Sequence, residues 1–427
     1  MKLEEVLVAI RPTKAEMLEE TRFAKEVVSK IGQHAASYGG EAVLTGSIAK
    51  KTFLRNSKDI DVFVLFERNF PKEKFEKTVK EILEKTYPGT RYQISYAEHP
   101  YIRFHLHGKK IDLVPAYRIT NAKERLSAVD RSVLHTKFVK AALDQDKIDD
   151  VLLLKAFLKA NELYGAEIKI EGFSGYLCEL LIIKYGGFVK LLRAAAKWKI
   201  KKLGGQEIVE LVDFFGKKTK KELLEIHKKF GSFVVIDPTD SNRNVAAALS
   251  IDNLKKFIGL AKHFLKRKAM GMFKARKSTM AEKLARIKKI KYLVSMPRPA
   301  VVDDVLWGQL KKVMNQLERE LAEFGATTFA EDSRHLVKIA IVLQKERLDE
   351  SEILVGPPLE MKKNVSEFKK SHKNGKFITK IIEKKKRICV KAKRKNRDAE
   401  WFIHNFFRSL KSTHLAYPPE MVVVTRG

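Results

Sequence analysis

Three aspartates are the residues best placed to do chemistry in this chain. Asp59 and Asp61 stand two apart in the run Lys58-Asp59-Ile60-Asp61-Val62-Phe63-Val64-Leu65-Phe66. Side chains alternate faces along a strand, so both carboxylates project to one side, with Cα atoms roughly 6 to 7 Å apart. Oxygen donors at that spacing suit a hard divalent cation, Mg²⁺ above all. The apolar run pins the register, because a slip of one residue would turn both acids away. Upstream, Val43-Leu44-Thr45-Gly46-Ser47 reads as a strand ending in Gly-Ser. Gly46 permits close backbone approach or a positive φ, and Ser47 is placed to cap a helical turn whose amides suit a phosphate. Asp112, in Lys110-Ile111-Asp112-Leu113-Val114-Pro115, is an acid inside an apolar strand, a costly place unless a cation or donors meet it. Taken alone, Gly-Ser is an ordinary helix cap and Asp112 a strand aspartate bonded to a neighbour.

These residues need elements to hold them. Residues 1–37 predict a helix ended by Gly39-Gly40, and residues 71–86 another. Residues 49–58 are short, basic and exposed; a P-loop reading of residues 46–52 fails for want of a second glycine before the lysine. A strand over residues 92–97 is followed by a hairpin of residues 101–107 and 110–117, turning at Gly108-Lys109. His105 and His107 share a face there, and read as sheet residues because no further ligand stands nearby. From Asp149 the pattern is helical, with Lys155 and Lys159 on one face, usually a solvated arrangement, and Tyr164 past the helix end. Ser174 caps a buried helix, so Gly172 to Leu180 reads as structure rather than chemistry. Residues 199–230, with the run Lys217-Lys218-Thr219-Lys220-Lys221, predict a solvated helical excursion. Residues 233–238 form a strand, and residues 242–250 open a helix. Arg243 at its start opposes the helix dipole, so it needs a partner, in the simplest case Asp237 or Asp240.

After residue 275 the composition shifts. Residues 291–296 and 335–344 read as strands, and Leu306, Leu310, Val313, Leu317 and Phe324 line an amphipathic helix closed by Gly325. Basic residues dominate from Lys362 to Arg397, with Phe368, Phe377 and Ile388 among them, and residues 401–407 form a last helix.

At 427 residues the chain predicts two to four domains, and 44% hydrophobic composition supplies their cores. The 85 Lys and Arg against 52 Asp and Glu leave a charge of +33, which points to a polyanionic partner. Two cysteines, Cys178 and Cys389, make neither a disulfide framework nor a zinc site alone. No stretch predicts a membrane span or a signal peptide, so a cytoplasmic protein is expected.

Gly46-Ser47 followed by Asp59-Ile60-Asp61 resembles the signature of the DNA-polymerase-β-type nucleotidyltransferase superfamily. The longer string Gly-Ser-Ile-Ala-Lys-Lys-Thr-Phe-Leu-Arg-Asn-Ser-Lys-Asp-Ile-Asp-Val-Phe resembles the archaeal, class I CCA-adding tRNA nucleotidyltransferases. Ile111-Asp112-Leu113-Val114-Pro115, Ser127 to His135, Gly172 to Leu180, Val301 to Asp304 and Gly356 to Glu360 resemble later motifs of that family. Two positions depart from it: Lys50 stands where the family usually has arginine, and Asn56 where it has glycine.

The resemblance implies an α+β multidomain protein. A polymerase-β-like head with a mixed sheet (residues 1–131) would precede a helical neck (132–275), a body (276–312 and 391–427) and a tail (313–390). It implies a catalytic, Mg²⁺-binding triplet of Asp59, Asp61 and Asp112, and nucleotide contacts from Gly46, Ser47, Lys50, His135, Lys155, Tyr164 and Arg243, the last at the base edge. The substrates would be CTP, ATP and tRNA, gripped at its acceptor and T arms. A homodimer is left open. Two rivals share the scaffold: a terminal adenylyltransferase such as a poly(A) polymerase, and a non-catalytic RNA-binding protein. Unused buried acids count against the second.

Overall fold

The structure is a computed structural model that describes residues 3–56, 59–96, 99–203, 206–214, 219–267, 270–274, 279–287, 289–372, 378–384, 386–411, 414–417 and 422–426. Lys58, Lys217, Lys218 and Phe377, named above, and the last residue of the strand expected over 92–97 lie outside them. The chain forms two compact units, Met1–Lys277 and Ser278–Gly427.

The first unit opens on two helices, α1 (Leu3–Ile10) and α2 (Lys14–Ala35), where one was expected. Arg11-Pro12-Thr13 interrupts them: proline lacks the amide donor and disfavours helix in the residue before it. Thr13 then restarts the helix with a capping box, its hydroxyl accepting from the Glu16 amide while the Glu16 carboxylate accepts from the Thr13 amide.

Next come β1 (Glu41–Thr45), α3 (Gly46–Lys50), β2 (Asp59–Phe66), α4 (Phe75–Thr86), β3 (Tyr92–Tyr96), β4 (Pro100–Leu106) and β5 (Lys109–Tyr117). The strands form one mixed sheet in the order β1-β2-β5-β4-β3, with β2 and β5 parallel and the other neighbours antiparallel. The β4–β5 hairpin turns at His107-Gly108, with φ of 48° and 71°, so His107 leaves the strand and shares no face with His105. Alternation sorts β2 cleanly. Ile60, Val62, Val64 and Phe66 enter a core with Val27 and Ile31 of α2 and Phe75 and Val79 of α4. Phe63 and Leu65 pack on the other face with Val114, Ala116 and Val133. Asp59 and Asp61 lie on that second face, at the start of the strand.

The unit continues through α5 (Arg131–Ala142), α6 (Gln145–Ala160), α7 (Gly175–Tyr185), α8 (Phe188–Ala195), β6 (Lys201–Leu203), β7 (Gln206–Ile208), β8 (Glu210–Val212), α9 (Lys220–Phe230), β9 (Phe233–Asp237), β10 (Asp240–Asn244) and α10 (Ile251–Arg267). Leu154, Phe157, Leu181, Phe188 and Phe257 meet in a second core, which Val6 of α1 joins. Two expectations are corrected here. Residues 199–230 are not a helical excursion: β6 and β7 form a hairpin, β8 pairs in parallel with β9, and α9 alone is helical. Arg243 sits on β10, and the helix expected over residues 242–250 begins only at Ile251. The physical reason is β9, buried at every residue, whose backbone needs partners on both edges; β8 and β10 supply them.

The second unit contains α11 (Met280–Ala285), β11 (Ile290–Pro297), α12 (Asp303–Glu320), β12 (Thr327–Asp332), β13 (Leu336–Leu343), β14 (Ser351–Pro358), α13 (Lys362–His372), β15 (Ile378–Lys384), β16 (Arg387–Lys393), α14 (Ala399–Ser409) and β17 (Val423–Arg426). Its sheets run β12-β13-β11-β17 and β14-β16-β15. Leu306, Leu310 and Val313 of α12 and Ile403 and Phe406 of α14 pack with alternate residues Tyr292, Val294, Val337 and Ile339. Strand β17, pairing with β11, follows the last helix and was not foreseen. Part of the basic stretch is neutralised internally: Arg394 meets Glu352 at 3.1 Å and Arg397 meets Glu350 at 3.3 Å.

Asp130 ties the sheet of the first unit to α5. Fully buried, it accepts from the amides of Tyr117, Leu126 and Ser127 at 2.9, 2.9 and 2.7 Å and from the Ser127 hydroxyl at 2.9 Å. Asp130→Ala strands these donors, and urea unfolding should show a loss of about 3 kcal/mol.

Candidate active site

Strand register builds the acid cluster. Asp61 pairs with Thr45 on one side and Asp112 on the other, and Asp112 pairs with Arg103, so these four stand in a row across β1, β2, β5 and β4. One step toward the strand start, Asp59 pairs with Lys110. Burial, then the charge of Asp112, pushes the Asp61 carboxyl up to about 6, with Lys50 opposing and Asp59 adding to the rise. Lys110 Nζ lies 3.0 Å from Asp59 Oδ1. Arg103 grips Asp112 with both arms, Nε to Oδ1 at 2.7 Å and an Nη to Oδ2 at 2.8 Å.

Gly46 opens α3 with φ +68°, and a Cβ there would fall 1.7 Å from Asp61 Oδ2, so no other residue fits. The sequence expectation for Ser47 is corrected: Thr45 takes the N-cap position, no side chain caps the helix, and Ser47 lies inside the first turn. Gly46 turns the backbone, so the helix starts two residues earlier than a Ser47 cap requires.

A cleft of about 350 Å³ brings together Gly46, Ser47, Lys50, Asp59, Asp61, Asp112, Lys155 and Tyr164. Thr52, Lys110, Tyr176 and Glu179 line it as well. Opposite the acids sits a buried cationic network. The fully buried Glu179 accepts from Lys50 Nζ at 2.6 Å on Oε2 and from the Thr52 hydroxyl at 2.6 Å on Oε1, and Lys155 Nζ lies 3.4 Å from that same Oε1. Lys155 also donates to the Thr52 carbonyl at 2.8 Å. Burial raises the Glu179 carboxyl, but Lys50, Lys155 and the Thr52 hydroxyl outweigh it and hold the group below its ordinary value. Burial pushes the Tyr164 hydroxyl well up, so it stays a proton donor.

His135 and Arg243 do not line that cleft. They meet at Asp237, which accepts from His135 Nε2 and Arg243 at 2.9 Å each, from the Tyr176 hydroxyl at 3.1 Å and from the Thr239 hydroxyl at 2.8 Å. Burial would raise the Asp237 carboxyl; these donors, His135 first, hold it well below the carboxylate range. Burial lowers His135 more than Asp237 raises it. The His135 ring stacks on Tyr176 at 4.0 Å, and the Arg243 guanidinium lies 6.0 Å from the same ring. Tyr176 thus joins the two clusters. Of the two partners foreseen for Arg243, Asp237 or Asp240, it meets Asp237, and His135 sits within α5.

Sequence reasoning passed over Thr52, Glu179, Tyr176, Arg103 and Lys110. The signal for Glu179 was legible: an acid in Leu177-Cys178-Glu179-Leu180 poses the same question as Asp112. Arg103 and Lys110 were not, because cross-strand register sets them beside the acids.

The donor set fits a divalent cation. Three carboxylates crowd one end of the cleft, and the raised Asp61 reflects its burial first and the charges of Asp112 and Asp59 after it. Among the described residues no three acid, histidine or cysteine side chains converge ready-made on one point. Lys110 and Arg103 hold Asp59 and Asp112 instead.

Two outcomes follow from these charges. Asp61 binds its proton more tightly folded than unfolded. Its contribution to stability is full below about pH 3.8 and is lost as pH rises through about 6. In divalent-free buffer, the wild-type melting temperature relative to that of Asp61→Asn should fall across that window, and a flat difference would contradict the assignment. Glu179→Gln leaves two buried ammonium groups poorly matched and should cost about 3 to 5 kcal/mol in urea unfolding, more than Lys50→Met.

Comparison with known proteins agrees along the chain. Residues 22–135 match the nucleotidyltransferase domain, residues 149–274 the second domain of tRNA nucleotidyltransferase, and residues 288–414 the C-terminal domain of CCA-adding enzyme. The mixed sheet and its helices are thus the polymerase-β-like nucleotidyltransferase fold. The CCA-adding enzyme of Methanocaldococcus jannaschii is 36% identical over 87% of this chain and 83% of its own length. That of Archaeoglobus fulgidus is 34% identical over 86% of this chain and 82% of its own. That of Methanococcus maripaludis is 33% identical over 97% and 93%. With such identity across nearly both whole lengths, and these domains in succession, the chain belongs to the archaeal CCA-adding enzyme family of nucleotidyltransferases.

Proposed function

We propose that this chain adds and repairs the 3′-terminal CCA of tRNA from CTP and ATP, without a nucleic-acid template, releasing pyrophosphate. The observation that carries this reading is the meeting in one cleft of paired acids on β2 and β5 with the glycine-led turn and the lysine–tyrosine wall opposite. The family's reaction is metal-dependent. Asp59, Asp61 and Asp112 would hold Mg²⁺, which when bound supplies charge stabilisation for the attacking 3′-hydroxyl and the departing pyrophosphate.

The other residues bind and orient. The α3 turn at Gly46 and Ser47, with Lys50, Lys155 and the Tyr164 hydroxyl, receives the triphosphate. Glu179 holds both ammonium groups at that wall, so the wall keeps one net positive charge without loose lysines. Arg243 presents its free edge to the incoming base, while Asp237 fixes its other face and His135 and Tyr176 supply a flat apolar wall. Residues 1–131 serve as head, 132–275 as neck, and the rest as body and tail; the division expected at 312/313 would cut α12 and part β12 and β13 from β11 and β17, so the tail is drawn more narrowly, around the β14-β16-β15 sheet. Basic faces of body and tail hold the acceptor and T arms by shape and backbone, as duplex RNA requires. A cytoplasmic setting, where both buried cysteines stay reduced, belongs to the same proposal.

The test is incubation with tRNA lacking one, two or three terminal nucleotides, with CTP and ATP, followed by sequencing of the ends. Completion to CCA and then arrest is the expected result; indefinite adenosine addition would replace this reading with a poly(A) polymerase. Asp59→Ala and Asp112→Ala should each abolish addition while tRNA affinity stays within a few-fold, and full activity in either would defeat the metal assignment.

A further inference from the structure

Asp112 has a partner that the proposed reaction does not use. Arg103 lies directly across from it, β4 against β5, and its guanidinium meets both carboxylate oxygens at 2.7 and 2.8 Å. The same nitrogen that reaches Oδ2 also donates to the Tyr101 hydroxyl at 3.1 Å, and the guanidinium lies 5.7 Å from the Tyr101 ring. This is the two-armed geometry with which arginine satisfies a carboxylate completely in one plane. The Asp112 oxygens are therefore turned along the sheet toward Arg103. Lys110 does the same to Asp59 with one contact at 3.0 Å.

We propose that Arg103 is a built-in counter-ion that occupies Asp112 in the nucleotide-free protein and has to release it before Asp112 can act as a ligand to a divalent cation. The inference rests on the metal assignment made above and adds to it a competitor within the chain. An exposed ion pair contributes little to stability, and this one is only partly buried, with side-chain exposures of 32% and 15%. Its consequence lies in occupancy. A pair favoured by about 1 kcal/mol leaves Asp112 available for roughly one sixth of the time, and apparent cation affinity falls in the same proportion. Arg103 is placed to wait: Tyr101 offers its hydroxyl and ring face to the guanidinium whether or not Asp112 is bound. Charge neutralisation in the empty site thus comes from the sheet itself, and the site resists filling until a nucleotide brings its own phosphate oxygens and charge.

The experiment counts free Mn²⁺ by electron paramagnetic resonance in titrations of the whole protein without nucleotide or RNA. Arg103→Gln, shorter and neutral, should bind Mn²⁺ about sixfold more tightly than wild type, and Arg103→Met, which offers no hydrogen bond to Asp112, at least as tightly. Asp112→Asn combined with Arg103→Gln should remove the gain. Unchanged or weaker Mn²⁺ binding in both arginine variants would overturn the proposal, leaving Arg103 as a sheet contact or as a support that orients Asp112. Absence of Mn²⁺ binding in every protein would overturn it too, and would also remove the metal assignment. CCA addition by the wild type, measured separately, distinguishes that failure from one confined to Arg103.

Discussion

Two carboxylates at paired positions of adjacent parallel strands repel one another, and the architecture around Asp61 and Asp112 answers that repulsion. The β2–β5 pairing cannot slip to relieve it. Ile60, Val62, Ile111 and Leu113 on one face and Phe63, Leu65 and Val114 on the other are buried, and a shift of one residue would exchange the two faces and drive Asp61 and Asp112 into the apolar core under α2 and α4. The strain is met with charge instead. Arg103 and Lys110 enter the same face from neighbouring register positions, and Gly46 removes the side chain that would collide with Asp61.

The opposite wall uses the same device with signs reversed. Lys50 and Lys155 are carried on different elements, α3 and α6, and would repel across the cleft. Glu179, from α7, lies fully buried between them. Asp237 does equivalent work for His135 and Arg243, which come from α5 and β10. Each buried acid satisfies several donors at once, the condition under which a charge survives away from water. Tyr176 touches both groups through its hydroxyl and its ring, so the two halves of the pocket share one aromatic spacer.

The two departures from the family pattern find local explanations of different strength. Asn56 has φ +66°, a left-handed position that glycine fills most easily and asparagine tolerates better than most residues. Lys50 reaches Glu179 with its single ammonium and lies 5.8 Å from the Tyr176 ring. A point charge is sufficient for that pairing, whereas an arginine fork would divide its contacts between the acid and a neighbour.

Much of this was legible before any coordinates. Local pattern alone predicts the apolar alternation of β2 and β5, the glycine demanded at position 46, the Ser174 cap, the amphipathic α12 and the basic excess, because each depends on neighbours in the chain. It misjudged residues 199–230 and the element carrying Arg243, where β9 recruits strands against local helical preference. The partners of Asp112, Asp59 and Lys50, and the meeting of His135 with Asp237, were decided elsewhere. Glu179 lies 129 residues from Lys50, and Asp237 lies 102 residues from His135. Such pairings follow from which strand lies beside which and which helix covers them, so only the folded chain holds them.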